Sequence, residues 1–236
     1  MQRYFVESIK DDLFILNKED SYHIVKVMRA KIKDKIEIVY QKECFVCEII
    51  NTDNLVKTKI LEKKKSDFLL PNVTVAQSLI REQKIDYMIQ KTVELGITTI
   101  IPLKTVRSII NIDKKETEKI TRWQKIAKEA SEQSKRLEIA KIEKIHTIND
   151  LIQKNYDYKI LLTVNETSNN IKRILSNITI NDKILVVVGP EGGFTKEEEK
   201  TLLDYGFIGA TLGNLVLRSE TVAITIMSII NYILMR

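Results

Sequence analysis

The residues best equipped for chemistry fall in two short stretches near the carboxyl end. They are Gly189-Pro190-Glu191-Gly192-Gly193-Phe194 and Leu212-Gly213-Asn214-Leu215-Val216-Leu217-Arg218-Ser219-Glu220-Thr221. Six of the chain's seven glycines (Gly189, Gly192, Gly193, Gly206, Gly209 and Gly213) cluster in and between them. Glycine costs backbone entropy, so a cluster marks chain that turns tightly or lets something approach closely. Each stretch follows an apolar, strand-like run and precedes a helix-like one. The commonest use of a glycine-rich strand-to-helix loop is to cradle phosphate. Neither loop has G-x-G-x-x-G or G-x-x-x-x-G-K-[ST] spacing, and Glu191 would repel a phosphate. A dinucleotide-dependent dehydrogenase is therefore excluded. A carboxylate is better placed beside a neutral or cationic ligand. Loop amides and carbonyls can read the edge of an adenine, with Leu212, Leu215 and Leu217 as apolar walls. S-adenosylmethionine, with its sulfonium and amino group, suits that description better than a nucleotide phosphate. The rival reading is a pair of structural turns with incidental glycines.

The elements that must hold these loops can be read from periodicity. Residues 1–67 contain no glycine or proline. They read as short strands at 3–6, 13–16, 35–40, 44–50 and 55–61 around a helix at 19–29, whose Tyr22, Val25 and Met28 recur at helical spacing. A small β-barrel-like module is the natural outcome. The charged run Glu62-Lys63-Lys64-Lys65-Ser66-Asp67, followed by Pro71, reads as a linker. From residue 72 to 236 strands alternate with helices, the signature of an α/β domain with a mostly parallel sheet. Strands are predicted at 73–77, 98–103, 159–164, 184–188 and 207–212, and helices at 81–95 (stopped by Gly96), 117–136, 195–205 and 220–234. Thr195 with Glu198 makes a capping box, and Ser219 stands at an N-cap position. Strand-to-helix loops of such a unit emerge at one sheet edge, where ligands bind. The two glycine loops become neighbours there, joined by Asn165, Glu166 and Thr167 after Val164.

A formal charge of +6 over 236 residues favours a polyanionic partner without identifying it. No amino-terminal stretch reads as a secretory signal, and the apolar run at 222–235 is too short to span a bilayer. Two cysteines suit a reducing compartment, so a cytoplasmic location is expected, with no membrane partner. Cys44 and Cys47 form a C-x-x-C within a strand-like run, where residues three apart face opposite sides. No second pair or nearby His completes a metal set, so none is expected.

The two loops resemble the SPOUT class of methyltransferases, specifically the RsmE family of 16S rRNA uridine-N3 methyltransferases. Residues 189–194 are similar to its GPEGG-[FL] loop and 212–221 to its L-G-x-x-[VIL]-L-R-[ST]-E-T segment. Upstream, Gln90-Lys91-Thr92-Val93-Glu94-Leu95-Gly96 resembles its QK-x-x-ELG helix end, with Pro102 and Arg107-Ser108 following. Residues 122–127 and 129–136 match its next helix, and Arg3-Tyr4-Phe5 with residues 23–29 its amino-terminal signature. Lys33 and Gln41-Lys42 depart from it, standing where the family turns on glycine; Ala140 and Asn214-Leu215 depart as well.

The resemblance implies a SPOUT-type α/β domain with a carboxyl-terminal trefoil knot over residues 72–236. A small PUA-like β-barrel RNA-binding domain precedes it over residues 1–67. It further implies a homodimer that uses S-adenosyl-L-methionine and acts on 16S rRNA of the small ribosomal subunit. The donor would be held by Gly189, Pro190, Glu191, Gly192, Gly193, Leu212, Gly213, Leu217, Ser219 and Thr221. Methylating uracil N3 means losing an imide proton, and Arg218 is placed to stabilise the resulting charge on O2 and O4. Its rival role is a salt bridge with Glu220 or Glu191. Glu220 and Glu166 are the candidate bases; either could instead bind the methionine amino group or cap a helix, and loss of the proton to solvent stays open. Arg3, His23, Lys26, Arg29, Arg81, Arg107, Arg122 and Arg136 are candidates for gripping RNA, each with solvated surface charge as its alternative. Two competing functions are a SPOUT ribose 2′-O-methyltransferase and a non-catalytic RNA-binding assembly factor.

Overall fold

A computed structural model describes residues 1–65, 69–108, 115–165 and 169–234. The chain divides into two compact units, Met1–Phe68 with Ser131–Ile139, and Leu69–Ala130 with Ala140–Arg236.

The first unit holds β1 (Arg3–Phe5), β2 (Ile9–Lys10), β3 (Leu13–Ile15), α1 (Lys18–Tyr22), β4 (Lys35–Tyr40), β5 (Glu43–Asn51) and β6 (Lys57–Lys64). They form a six-stranded sheet of order β1-β4-β5-β6-β3-β2, antiparallel except for β1 beside β4. Alternation along β5 turns Cys47 and Ile49 into a core with Phe14, Ile24 and Ile38, while Cys44 faces the other way, against Arg3. Both thiols are free and buried, and burial pushes Cys47 up to about 12.

Three features of this unit differ from the sequence reading. The helix expected over 19–29 is α-helical only to Tyr22 and continues as a π-helical turn, His23–Val27, with Met28 N–H donating to the His23 carbonyl at 2.9 Å. The charged run begins inside β6 rather than after it, because its charges find cross-strand partners: Lys63 pairs with Glu43 at 2.6 Å and Lys64 with Glu37 at 2.7 Å. The turns lacking glycine still take glycine's conformation. Gln41 and Lys42 join β4 to β5 at φ 49° and 65°, and Lys33 sits at φ 77°. Two left-handed residues in a two-residue hairpin match the twist of the strands they join.

The second unit contains β7 (Asn72–Ser78), α2 (Glu82–Glu94), β8 (Thr99–Leu103), α3 (Glu116–Gln133, whose last turn belongs to the first unit), β9 (Lys141–Ile142), α4 (Ile148–Ile152), β10 (Tyr158–Leu162), α5 (Ile171–Leu175), β11 (Lys183–Val188), α6 (Lys196–Asp204), β12 (Ile208–Ala210) and α7 (Ser219–Leu234). The sheet is wholly parallel, in the order β12-β10-β11-β7-β8-β9. Parallel sheets are buried on both faces, and β11 shows it. Ile184, Val186 and Val188 enter one core with Ile226, Met227 and Ile230 of α7; Leu185 and Val187 enter the other with Leu202 of α6. The helix run read to 136 stops at Gln133, and Lys135 follows at φ 62°. The short α4, α5 and β9 were not foreseen. Among the described residues no helix is long and apolar enough to cross a membrane, and no cluster of three His, Cys, Asp or Glu could hold a metal.

Candidate functional site

The loops after β10, β11 and β12 converge at the carboxyl edge of the parallel sheet around a cavity of about 800 Å³. Gly189, Pro190, Glu191, Gly192, Gly193, Leu212, Gly213, Leu217, Arg218 and Ser219 all line it. Gly193 (φ +66°) and Gly213 (φ +135°) adopt conformations an L side chain avoids, and a Cβ on either would meet nothing within 4 Å. These positions leave bare backbone open to a ligand. Gly189 has a different reason: its Cβ would stand 3.0 Å from the buried Phe194 ring.

The loop after β11 is held from several sides. Ser219 Oγ donates to the Gly189 carbonyl at 2.5 Å and accepts from Gln77 Nε2 at 2.8 Å. Ser219 is therefore not the N-cap of α7. It is the first helical residue, and the Arg218 carbonyl takes the opening helix bonds from Thr221 and Val222. Arg107 grips the Gly192 and Phe194 carbonyls at 2.8 and 3.1 Å. Lys84 Nζ reaches Glu191 at 2.9 Å and Glu220 at 3.6 Å. The capping box of α6 forms as expected, Glu198 N–H donating to Thr195 Oγ1 and Thr195 N–H to Glu198.

Arg218 is exposed at the rim of the cavity and, among the described residues, has no ion-pair partner. Its suggested partners Glu191 and Glu220 turn to Lys84 instead. Glu220 Oε2 is buried with no hydrogen-bond partner among the described residues. Thr221 is exposed on the first turn of α7, outside the cavity lining. Glu166, like Thr167, lies outside the described residues. A carboxylate missed by the sequence reading lines the cavity opposite: Glu199 accepts from Thr163 Oγ1 at 2.6 Å and from Asn165 Nδ2 at 3.0 Å. No local pattern announces it, since its partners lie on another loop.

The basic residues separate by environment. Arg3 is buried and spent on Glu37 (2.9 Å), Cys44 Sγ and the Lys135 and Arg136 carbonyls. Arg136 is also buried, its guanidinium reaching the Glu138 carbonyl. Arg122 pairs with Glu82 and Asp86. His23 Nδ1 meets the Tyr4 hydroxyl at 2.9 Å, while Lys26, Arg29 and Arg81 are exposed.

Comparison with known proteins gives this cavity a context. A family model described as an RNA methyltransferase domain matches residues 69–231. Across 98% of the chain and 96% of the relative, the sequence is 34% identical to the ribosomal RNA small subunit methyltransferase E of Bacillus subtilis. The chain belongs to the RsmE family. The RsmE protein of Mesomycoplasma hyopneumoniae is 32% identical over 97% of this chain and 98% of its own. The crystal structure of an RsmE protein from Neisseria gonorrhoeae, bound to S-adenosyl methionine, superposes with a TM-score of 0.88 at 25% identity, covering 99% of this chain and 98% of that one. Within the RsmE family this chain shares the α/β fold built on a parallel sheet.

Proposed function

We propose that this protein is an S-adenosylmethionine-dependent methyltransferase of small-subunit ribosomal RNA, and that its target is N3 of a specific uridine in 16S rRNA. One observation carries the reading. In a chain of the RsmE family, residues 189–193 and 212–219 line a single cavity whose backbone is bare at Gly193 and Gly213.

The residues present fit the donor. The cavity volume of about 800 Å³ lies in the range of cofactor sites. Leu212 and Leu217 supply apolar wall beside loop amides, and Glu191 and Glu199 make the lining suited to a cationic ligand. When bound, S-adenosylmethionine supplies an electrophilic methyl group. In this reading Arg218, at the rim and with no ion-pair partner among the described residues, stabilises charge on O2 and O4 of the uracil as the imide proton leaves. Glu220, whose buried Oε2 has no partner among the described residues but which lies outside the cavity lining, is the proposed acceptor of that proton, with Glu166 as the alternative. Alignment of the reacting centres supplies much of the rest. Because N3 lies on the Watson–Crick edge, the target base must be unpaired or extruded.

The same reading includes a PUA-like barrel for residues 1–67 and a trefoil knot within residues 72–236. The knot rests on membership of the RsmE family. Homodimerisation in the cytoplasm belongs to it as well. It is supported by the apolar residues left exposed around the third loop and α7, Leu215, Val216 and Tyr232. The proposed RNA-facing set is His23, Lys26, Arg29, Arg81, Arg107 and Arg122; the buried Arg3 and Arg136 are assigned to structure.

The test is to incubate the protein with labelled S-adenosylmethionine and small subunits from a methylation-null strain, then map the labelled atom by mass spectrometry of digested rRNA. Label on uridine N3 supports the reading, and label on a ribose oxygen replaces it with 2′-O-methylation. Donor binding without any transfer would refute it.

A further inference from the structure

The loop after β11 is a partly exposed wall of the cavity and bears its own negative charge, so something must fix its shape before a ligand arrives. Two of its anchors grip backbone: Ser219 takes the Gly189 carbonyl and Arg107 the Gly192 carbonyl. The third grips the loop's charged side chain. Lys84, on the first turn of α2, places Nζ 2.9 Å from Glu191 Oε1 and 3.6 Å from Glu220 Oε1. One ammonium thus faces two carboxylates from segments far apart in sequence, Glu191 in the loop and Glu220 at the start of α7. The three side chains are largely shielded, at 29%, 26% and 12% exposure. Such shielding makes the attraction stronger than that of a surface pair, and the loss of one partner more damaging.

We propose that Lys84 is a positioning residue of the donor site, its ammonium tying Glu191 to Glu220 and holding residues 189–193 in their ligand-ready shape. This rests on the methyltransferase reading above. Lys84 does not line the cavity, so it acts through the two carboxylates. Without it, Glu191 and Glu220 share a partly shielded space with no cation between them. The less constrained of the two, Glu191, swings away and carries Gly192 and Gly193 with it. The asymmetry of the two distances assigns the main effect to the loop, and hence to donor affinity, with a smaller effect on the chemical step through Glu220.

The experiment measures S-adenosylhomocysteine binding by calorimetry, thermal melting, and methyl transfer to small subunits from a methylation-null strain. It compares the wild-type chain with Lys84→Met, Lys84→Arg and the double variant Lys84→Met/Glu191→Gln. Lys84→Met is expected to weaken binding about ten-fold (about 1.4 kcal/mol). Its KM for the subunit should stay at the wild-type value, and its melting temperature should fall slightly, because two carboxylates are left without their shared cation. Lys84→Arg restores most of the affinity, and the double variant regains part of it, because the stranded carboxylate is gone. The inference is overturned if Lys84→Met binds as wild type, if the double variant regains melting temperature without regaining affinity, or if Lys84→Arg is no better than Lys84→Met. Absence of transfer by the wild-type chain would instead sink the proposed function, and the binding arms would still judge Lys84.

Discussion

Replacing Ser219 by Ala tests whether the loop after β11 is held from beneath by the sheet. The hydroxyl sits in a relay, accepting from Gln77 Nε2 at 2.8 Å and donating to the Gly189 carbonyl at 2.5 Å. Ser219 is 6% exposed and Gln77 fully buried, so water cannot readily replace what is lost. Gln77 keeps its second bond, to the Ser78 carbonyl at 3.1 Å, which limits the damage on that side. Two hydrogen bonds at ~1 kcal/mol net each give a loss of about 2 kcal/mol. In a chain of this size that corresponds to a fall in melting temperature of about 4–8 °C. Because one bond ends on the loop itself, donor affinity should fall too, by up to about 30-fold if the whole loss is felt only in the bound state. Melting curves with and without S-adenosylmethionine, paired with calorimetric titration, separate the two contributions. If stability and affinity both match wild type, the relay is not what holds the loop.

Other substitutions probe the remaining parts. Arg218→Ala should abolish methyl transfer while leaving donor affinity within a few-fold; wild-type turnover would remove this residue from the chemistry. Gly193→Ala is expected to cost about 1 kcal/mol through its left-handed backbone alone, since no atom lies near the new methyl group, whereas Gly189→Ala carries no such strain but crowds the buried Phe194 ring at 3.0 Å, and overpacking costs about 1–3 kcal/mol. Chemical denaturation should therefore rank Gly189→Ala as the worse of the two. Gln41→Asn with Lys42→Gly, the pair preferred for a hairpin with two left-handed residues, should raise the melting temperature of the whole chain or of its first transition. Glu37 supplies the pH dependence. Burial alone would raise its carboxyl, but the Lys64 hydrogen bond and the Arg3 guanidinium outweigh it and hold the group at about 2, below its ordinary 4.5. A depressed folded value stabilises the fold above the ordinary value and loses that stabilisation as pH falls towards 2. Acid titration of stability should accordingly be flatter for Glu37→Gln below pH 4.5 than for wild type.

Local signals carried much of the architecture into the sequence. Strands β4, β7, β8 and β11 were legible because apolar runs or alternations bounded by polar residues leave few other options, and α6 because Thr195 and Glu198 are only three residues apart. Elements of two to five residues such as β9, α4 and α5 escape because they are shorter than the periods that would reveal them. The glycine loops announced the cavity, since bare backbone is visible as composition. What fixes those loops was not legible. Lys84 lies 107 residues from Glu191 and Gln77 lies 142 from Ser219, and such distances in sequence leave no pattern. Arg3 and Arg136 mislead for the same reason: a guanidinium reads as surface charge until its partners, such as Glu37, 34 residues from Arg3, are brought beside it.

The return of Ser131–Ile139 to the amino-terminal unit bears on any attempt to take the molecule apart. Cutting the chain in the linker after β6 would strip that unit of the backbone carbonyls of Lys135 and Arg136, on which the Arg3 guanidinium closes. A charged group that is sealed in the intact molecule would then be left short of acceptors. The amino-terminal fragment alone should be less stable than its sheet suggests, and supplying residues 131–139 as a separate peptide should restore it.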